Sequence, residues 1–300
     1  MLLVDATAAF LHHLRVEKQY SPHTLASYQR DLEQLHQYVQ TQSLASVKEM
    51  QGFHIRACLS QLHRRGLNKR SLQRWLSACR SFFRFCLRHG WILQDPTTGI
   101  SGPKPDKPLP KVLDPDQVTQ LLRDRPLTFS DCRDLAMLEL MYSCGLRLSE
   151  LTSLNMDAID LPNAHLRVLG KGKKTRQLPI GRQAIAALKQ WYSVRAERTL
   201  PNEVAAFVNH HGKRIGARGV QKRFAEMGIK QGVETPLNPH MMRHSFASHL
   251  LESSSDLRAV QELLGHANIT TTQVYTHLDY QHLAKVYDKA HPRAKKRLET

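Results

Sequence analysis

No apolar run in the 300-residue chain approaches the ~18 residues that a membrane-spanning helix needs, so no membrane span is expected. The N-terminus, MLLVDATAAFLHHL, has no basic stretch ahead of its apolar residues and places Asp5 among them. It reads as an amphipathic helix, not a signal peptide. Cysteine is scarce: Cys58, Cys79, Cys86, Cys132 and Cys144 are odd in number and form no C-x-x-C pair. That excludes a disulfide framework and a cysteine zinc site, and predicts buried free thiols in a reduced, cytoplasmic protein. Repeats and low-complexity tracts are missing too. The most informative shortage is of acid: 26 Asp and Glu face 43 Lys and Arg, a formal charge of +17.

The excess of base is spread along the chain. Up to residue 110 there are 15 basic and 7 acidic residues, and beyond it 28 and 19. A polyanion touching both halves is the economical explanation, and nucleic acid the obvious one. The 41% apolar fraction supports packed cores, and the length suits two domains. SGPKPDKPLPK, residues 101–111, places four prolines between Pro103 and Pro110, which cannot continue a helix. The expected division is a helical domain over 1–100, a Pro-rich linker over 101–111 and a second domain over 112–300.

The first domain reads as helices throughout. Ser21 and Pro22 suit an N-cap and first helical position, and Leu25, Tyr28, Leu32, Leu35 and Val39 follow at helical spacing. In KRSLQRWLSACRSFFRFCLRHG, Leu72, Trp75, Leu76, Cys79, Phe82, Phe83 and Cys86 fall in one arc. Arg70, Arg74, Arg80, Arg84 and Arg88 fall in the opposite one. A solvated face usually mixes signs, and this helix has no acid, so the five arginines are expected to meet phosphate backbone.

The second domain should be mostly helical with one small antiparallel sheet. Asp114 and Pro115 open a helix, Gly145 ends another, and residues 166–169 and 177–180 read as strands around the turn GKGKK. Four segments there carry chemistry. In CGLRLSEL, Arg147 at a helix junction can present its fork to phosphate, with Glu150 to orient it, although an ordinary surface ion pair fits as well. The turn 170–174 offers mobile lysines. Lys173 and Lys174 suit phosphate contacts, and a lysine of lowered pKa could donate a proton to a departing oxygen. In LNPHMMRHSFASHLLES, Asn238 caps and Pro239 starts a helix whose first turn carries His240 and Arg243, a natural seat for phosphate. His240 and His244 have H-x-x-x-H spacing, but the glutamate of H-E-x-x-H is missing, which disfavours zinc. In LGHANITTTQVYTH, Tyr275 is either a half-buried aromatic or a nucleophile. It could share a site with His266 only if the helix breaks between them, which Thr270 to Thr272 would allow.

Together GLRLSEL, GKGKKTRQLPI, HMMRHSFASHLLES and LGHANITTTQVYTH resemble the four signature regions of the tyrosine recombinases, the phage-integrase family, in order and rough spacing. The resemblance covers essentially the whole chain and fills every catalytic position. It implies a mainly α fold, with an N-terminal helical SAM-like DNA-clamping domain and a mostly α catalytic domain bearing a small antiparallel sheet. It also implies a mechanism. Tyr275 attacks a phosphodiester, forming a 3′-phosphotyrosyl link and releasing a 5′-hydroxyl. Arg147 and Arg243 hold the phosphate oxygens, Lys171 protonates the leaving oxygen, His240 assists proton transfer and His266 bonds the phosphate. No metal, cofactor or ATP is implied. Within the family the resemblance is nearest to the bacterial Xer recombinases that resolve chromosome dimers. That implies double-stranded DNA with a dif-like site, a XerD-like partner in a heterotetramer and control by a septal DNA translocase of the FtsK type. A mobile-element integrase of the same family and a non-catalytic DNA-binding architectural protein are the alternatives. The C-terminal segment has Leu283, Val286 and Tyr287 at helical spacing, and packing on its own domain or on a neighbouring protomer both fit.

Overall fold

The computed structural model describes residues 1–104, 112–123, 125–170, 175–233, 236–254, 256–264 and 277–293. The chain divides into two compact units, Met1–Pro108 and Leu109–Thr300.

The first unit is helical: α1 (Leu3–Val16), α2 (Pro22–Thr41), α3 (Gly52–Arg64) and α4 (Lys69–Arg88). Ser21 caps α2 by accepting the Thr24 N–H, with Pro22 at the first position. α4 supplies the centre of the core, where Leu72, Trp75, Leu76, Cys79, Phe82, Phe83 and Cys86 are all buried. The buried arc is wider than the sequence suggested, because Phe85 also turns inward against Phe10 and Trp91. Packing extends past residue 100: Ile100 is buried, and Gly102 lies against Gln73 and Leu76.

The second unit follows as α5 (Pro115–Leu121), α6 (Phe129–Cys144), α7 (Leu148–Ser153), β1 (Ile159–Asp160), β2 (His165–Leu169), β3 (Thr175–Pro179), α8 (Arg182–Arg195), α9 (Ala217–Lys230), α10 (Pro239–Ser253), α11 (Leu257–Leu264) and α12 (His277–Ala290). α6 is buried on nearly every face and packs on α8, α9 and α10. Its charged residues survive burial by pairing: Asp134 with Arg133 and Arg223, and Glu139 with Arg293. The sheet is an antiparallel meander, β1-β2-β3, with Leu166 opposite Leu178 and Val168 opposite Arg176. The two expected strands are present, and β1, too short at two residues to show alternation, is an addition.

The described part of the C-terminal segment, α12 and His291, packs on its own unit. Leu283, Tyr287, Ala290 and His291 are buried. Tyr287 Oη lies 2.7 Å from Ser143 Oγ, and His291 Nε2 lies 3.1 Å from the Tyr142 carbonyl. All five cysteines are free and buried. Burial pushes the Cys58, Cys86 and Cys144 thiols up to about 12, so they carry no thiolate at neutral pH. Among the described residues no helix is long and apolar enough to cross a membrane.

Candidate active site

The site is built where α6 ends. Gly145 closes that helix in the left-handed region (φ 59°), returning its N–H to the Met141 carbonyl at 2.9 Å. A side chain here would meet Phe246 of α10, since a Cβ would lie 2.4 Å from the ring. Glycine therefore lets α10 approach the α6–α7 junction closely. The chain then turns into α7 with Arg147 at its N-cap.

Glu150 organises that turn. One oxygen accepts the Arg147 backbone N–H at 2.8 Å, and the other accepts Arg147 Nη1 at 2.9 Å. Arg176, on the inward face of β3, donates from both Nη atoms to the same carboxylate at 2.8 and 3.0 Å. Burial alone would raise the Glu150 carboxyl. The Arg176 fork and then Arg147 outweigh it, so Glu150 lies below its ordinary value and is ionised.

α10 brings the second arginine. Asn238 Oδ1 accepts the Met241 N–H at 3.0 Å, and Pro239 occupies the first position. The Leu113 N–H bonds Ser245 Oγ at 3.0 Å, tying α10 to the start of the unit. Arg243 reaches back to the Gly145 carbonyl at 2.5 Å and across to the Leu264 carbonyl, at the end of α11, at 2.6 Å. Burial pushes its guanidinium down to about 10; Arg147 acts in the same direction, Glu150 opposes and Arg176 adds to the fall. It remains a cation at neutral pH, poorly solvated and close to another cation, which is a setting that welcomes an anion. His240 is exposed one turn earlier, with its Nε2 2.9 Å from His244 Nε2. His244 is held below the usual histidine range by burial, then by His240 and Arg243, and is neutral at pH 7.

Of the residues picked from the sequence, Arg147 is held by Glu150, Arg243 is tied to the Gly145 carbonyl two residues before Arg147, and His240 lies on the first turn of the Arg243 helix. Lys171, Lys173, Lys174, His266 and Tyr275 lie outside the described residues, as does the helix break expected before Tyr275. The sequence reading passed over Arg176. Its signal was there: β3 alternates, and the arginine occupies an inward position shared with Leu178.

Two arginines of the α4 face also have partners within the first unit. Arg74 makes two 2.9 Å bonds to the buried Asp31 of α2, and Arg80 donates to the Ile100 carbonyl. Arg70, Arg84 and Arg88 are exposed. The acid that α4 lacks comes from its neighbour, which the local pattern could not reveal.

Known proteins agree with this architecture. Residues 111–282 match the phage integrase family, and residues 8–90 match the phage integrase N-terminal SAM-like domain. The chain is 52% identical to the tyrosine recombinase XerC of Pseudomonas fluorescens over 96% of both chains. In structure it resembles the Tn1549 transposon integrase bound to transposon right-end DNA. The TM-score is 0.72 and the identity 17%, over 95% of this chain and 99% of that one. It also resembles the XerH site-specific recombinase bound to palindromic difH substrate in a post-cleavage complex. There the TM-score is 0.68 and the identity 24%, over 88% of this chain and 79% of that one. A mostly helical chain with both domains matched, and a relative this similar along its whole length, belongs to the phage integrase family, the tyrosine recombinases.

Proposed function

We propose that the chain resolves chromosome dimers by recombining a dif-like DNA site. It acts with a XerD-like recombinase in a heterotetramer, under a septal translocase of the FtsK type, during chromosome segregation and cell division in the cytoplasm. The observation that supports this most is the half-buried Arg243, bonded to the Gly145 carbonyl two residues before the Glu150-held Arg147, in a chain whose relative at 52% identity is XerC. That degree of identity favours a chromosomal target over a mobile element, because the likeness to the transposon integrase rests on the fold at 17% identity.

The chemistry follows from charge. Tyr275 adds its phenolic oxygen to the phosphorus, and the bond to the 5′ oxygen breaks, leaving a 3′-phosphotyrosyl ester. A tyrosine of pKa ~10 is a poor nucleophile until cations and a base lower the cost of ionising it. Arg147 and Arg243 hold the non-bridging oxygens and stabilise the charge that develops on them. His240 and His266 assist at the tyrosine and the phosphate, and Lys171 gives its proton to the leaving 5′ oxygen. The covalent ester keeps the energy of the broken bond, so the reverse attack rejoins DNA without ATP. Arg70, Arg84 and Arg88 contribute phosphate contacts from the first unit, as Lys173 and Lys174 do from the second.

The test is a nicked duplex carrying a dif-like site, incubated with the full chain and EDTA, with and without a XerD-like partner. The nick lets the cut fragment diffuse away and traps the ester. A covalent adduct on denaturing gels is expected from wild type and not from Tyr275→Phe. An adduct from both, or from neither with the partner present, would refute the assignment.

A further inference from the structure

Glu150 has every strong acceptor position taken, and by two different arginines. Arg147 binds it from the N-cap of α7 through its backbone N–H and Nη1, and Arg176 binds it from β3 through both Nη atoms. The exposures differ in kind. The Arg176 side chain is 7% exposed and Glu150 4%, whereas Arg147 is 38% exposed. Arg176 thus faces the interior and Arg147 the solvent. Arg176 Nε is buried with no partner among the described residues. A buried ion pair with an unsatisfied N–H is a weak stabilising device, often replaceable by apolar residues without loss. Its value here lies in what it does to Glu150.

Without Arg176, the buried carboxylate would face Arg147 at its own helix end and Arg243 on α10. An ionised Glu150 with two open lone pairs would draw the Arg147 fork inward into a bidentate grip. A protonated Glu150 would release it. Either change moves the Arg147 guanidinium from its place, and misplacement by ~1 Å at a reacting centre costs on the order of 100-fold in rate.

We propose that Arg176 is a positioning residue for strand cleavage: by occupying one side of Glu150, it fixes where that carboxylate holds Arg147, and so where Arg147 meets the scissile phosphate. The proposal rests on the recombinase reading above. It predicts an effect on chemistry that leaves binding nearly untouched, because DNA affinity is spread over many phosphate contacts and cleavage depends on this one geometry.

The experiment compares full-length wild type, Arg176→Met and Arg176→Lys on the same nicked duplex. Single-turnover adduct formation and equilibrium DNA affinity are measured side by side. Adduct formation should slow about 10- to 100-fold in Arg176→Met, with the Kd for DNA within about threefold of wild type. Arg176→Lys should recover roughly tenfold of the rate, since an ammonium holds one carboxylate oxygen without the fork. If Arg176→Met does not fold, the lysine variant alone must still show a slowed rate with unchanged Kd. Wild-type rates in both variants would overturn the proposal. So would equal losses of rate and affinity, which would make Arg176 part of general binding. No adduct from wild type, with the XerD-like partner present, would overturn the recombinase reading and the proposal with it, and that failure is visible before any variant is compared.

Discussion

Replacing Gly145 by alanine tests the contact on which the site is built. Two costs follow from the structure. The residue sits at φ 59° and ψ 35°, where a Cβ costs roughly 1–2 kcal/mol. The new Cβ would also fall 2.4 Å from Phe246 Cδ1 and 2.6 Å from Cε1. Relieving that overlap means displacing a buried ring or the helix that carries it, at about 1–3 kcal/mol. The sum, about 2–5 kcal/mol, should lower the Tm of the second unit by roughly 4–20 °C, measured by calorimetry on the full chain. Cleavage should slow as well, because Arg243 hangs from the Gly145 carbonyl at 2.5 Å and moves with α10. Phe246→Leu separates the two costs. In the double variant the steric cost disappears and the backbone cost stays, so the double loss should fall short of the sum of the single losses by about 1 kcal/mol or more. Additivity to within ~0.5 kcal/mol would refute the reasoning, since the Cβ and the ring would then not meet.

Two further predictions use other parts of the molecule. Arg84→Ala should lower the slope of log Kd against log salt for DNA by about 0.9 and leave stability unchanged. Arg74→Ala should leave the slope alone and destabilise the first unit by about 1.5–3 kcal/mol, because it strands Asp31. A reversed pattern would place Arg74, not Arg84, on DNA. In the second unit, burial lowers His291 from 6.5 to about 3, so the unfolded chain binds its proton first and stability is lost as pH falls below 6.5. Burial raises Glu139 from 4.5 to about 7, against the pull of Arg293, so its contribution is lost as pH rises from 4.5 to 7. The two oppose each other between 4.5 and 6.5. Glu139→Gln should steepen the acid loss of Tm in that window and His291→Asn should flatten it; parallel melting curves for all three proteins would contradict the assignment.

What the sequence could show depended on how far apart the partners lie. The caps at Ser21, Asp114 and Asn238 each act within three residues, so their chemistry is legible in the order of residues. Gly145 was legible as a helix end for the same reason, though not its contact with Phe246, about a hundred positions on. The β2–β3 hairpin was visible from its turn and alternation. Arg74 and Asp31 are 43 residues apart, and Arg176 and Glu150 are 26 apart. No local pattern marks such pairs, so the partner of Arg74 and the place of Arg176 at Glu150 are not legible in the sequence. Arg147, His240 and Arg243 were singled out because their types suit phosphate. That Arg243 is bonded to the Gly145 carbonyl, two residues before Arg147, took the fold to reveal. The roles of Tyr275, His266 and Lys171 rest on the family motifs.

Glu150 also sets the charge of the cradle. Arg147, Arg176 and Arg243 against this one carboxylate leave two positive charges. A phosphodiester at rest carries one negative charge, and after a phenolate has added to it, two. With the phosphate held by Arg147 and Arg243 as proposed, the described part of the cradle overmatches the ground state and matches the species through which the reaction passes, so the attraction would grow as the bond forms. Lys171, in its proposed role, adds a cation at the leaving oxygen and gives up that charge with the proton it donates. For an enzyme that must let each strand go and take up another, the buried acid keeps the grip tuned to the moment of exchange.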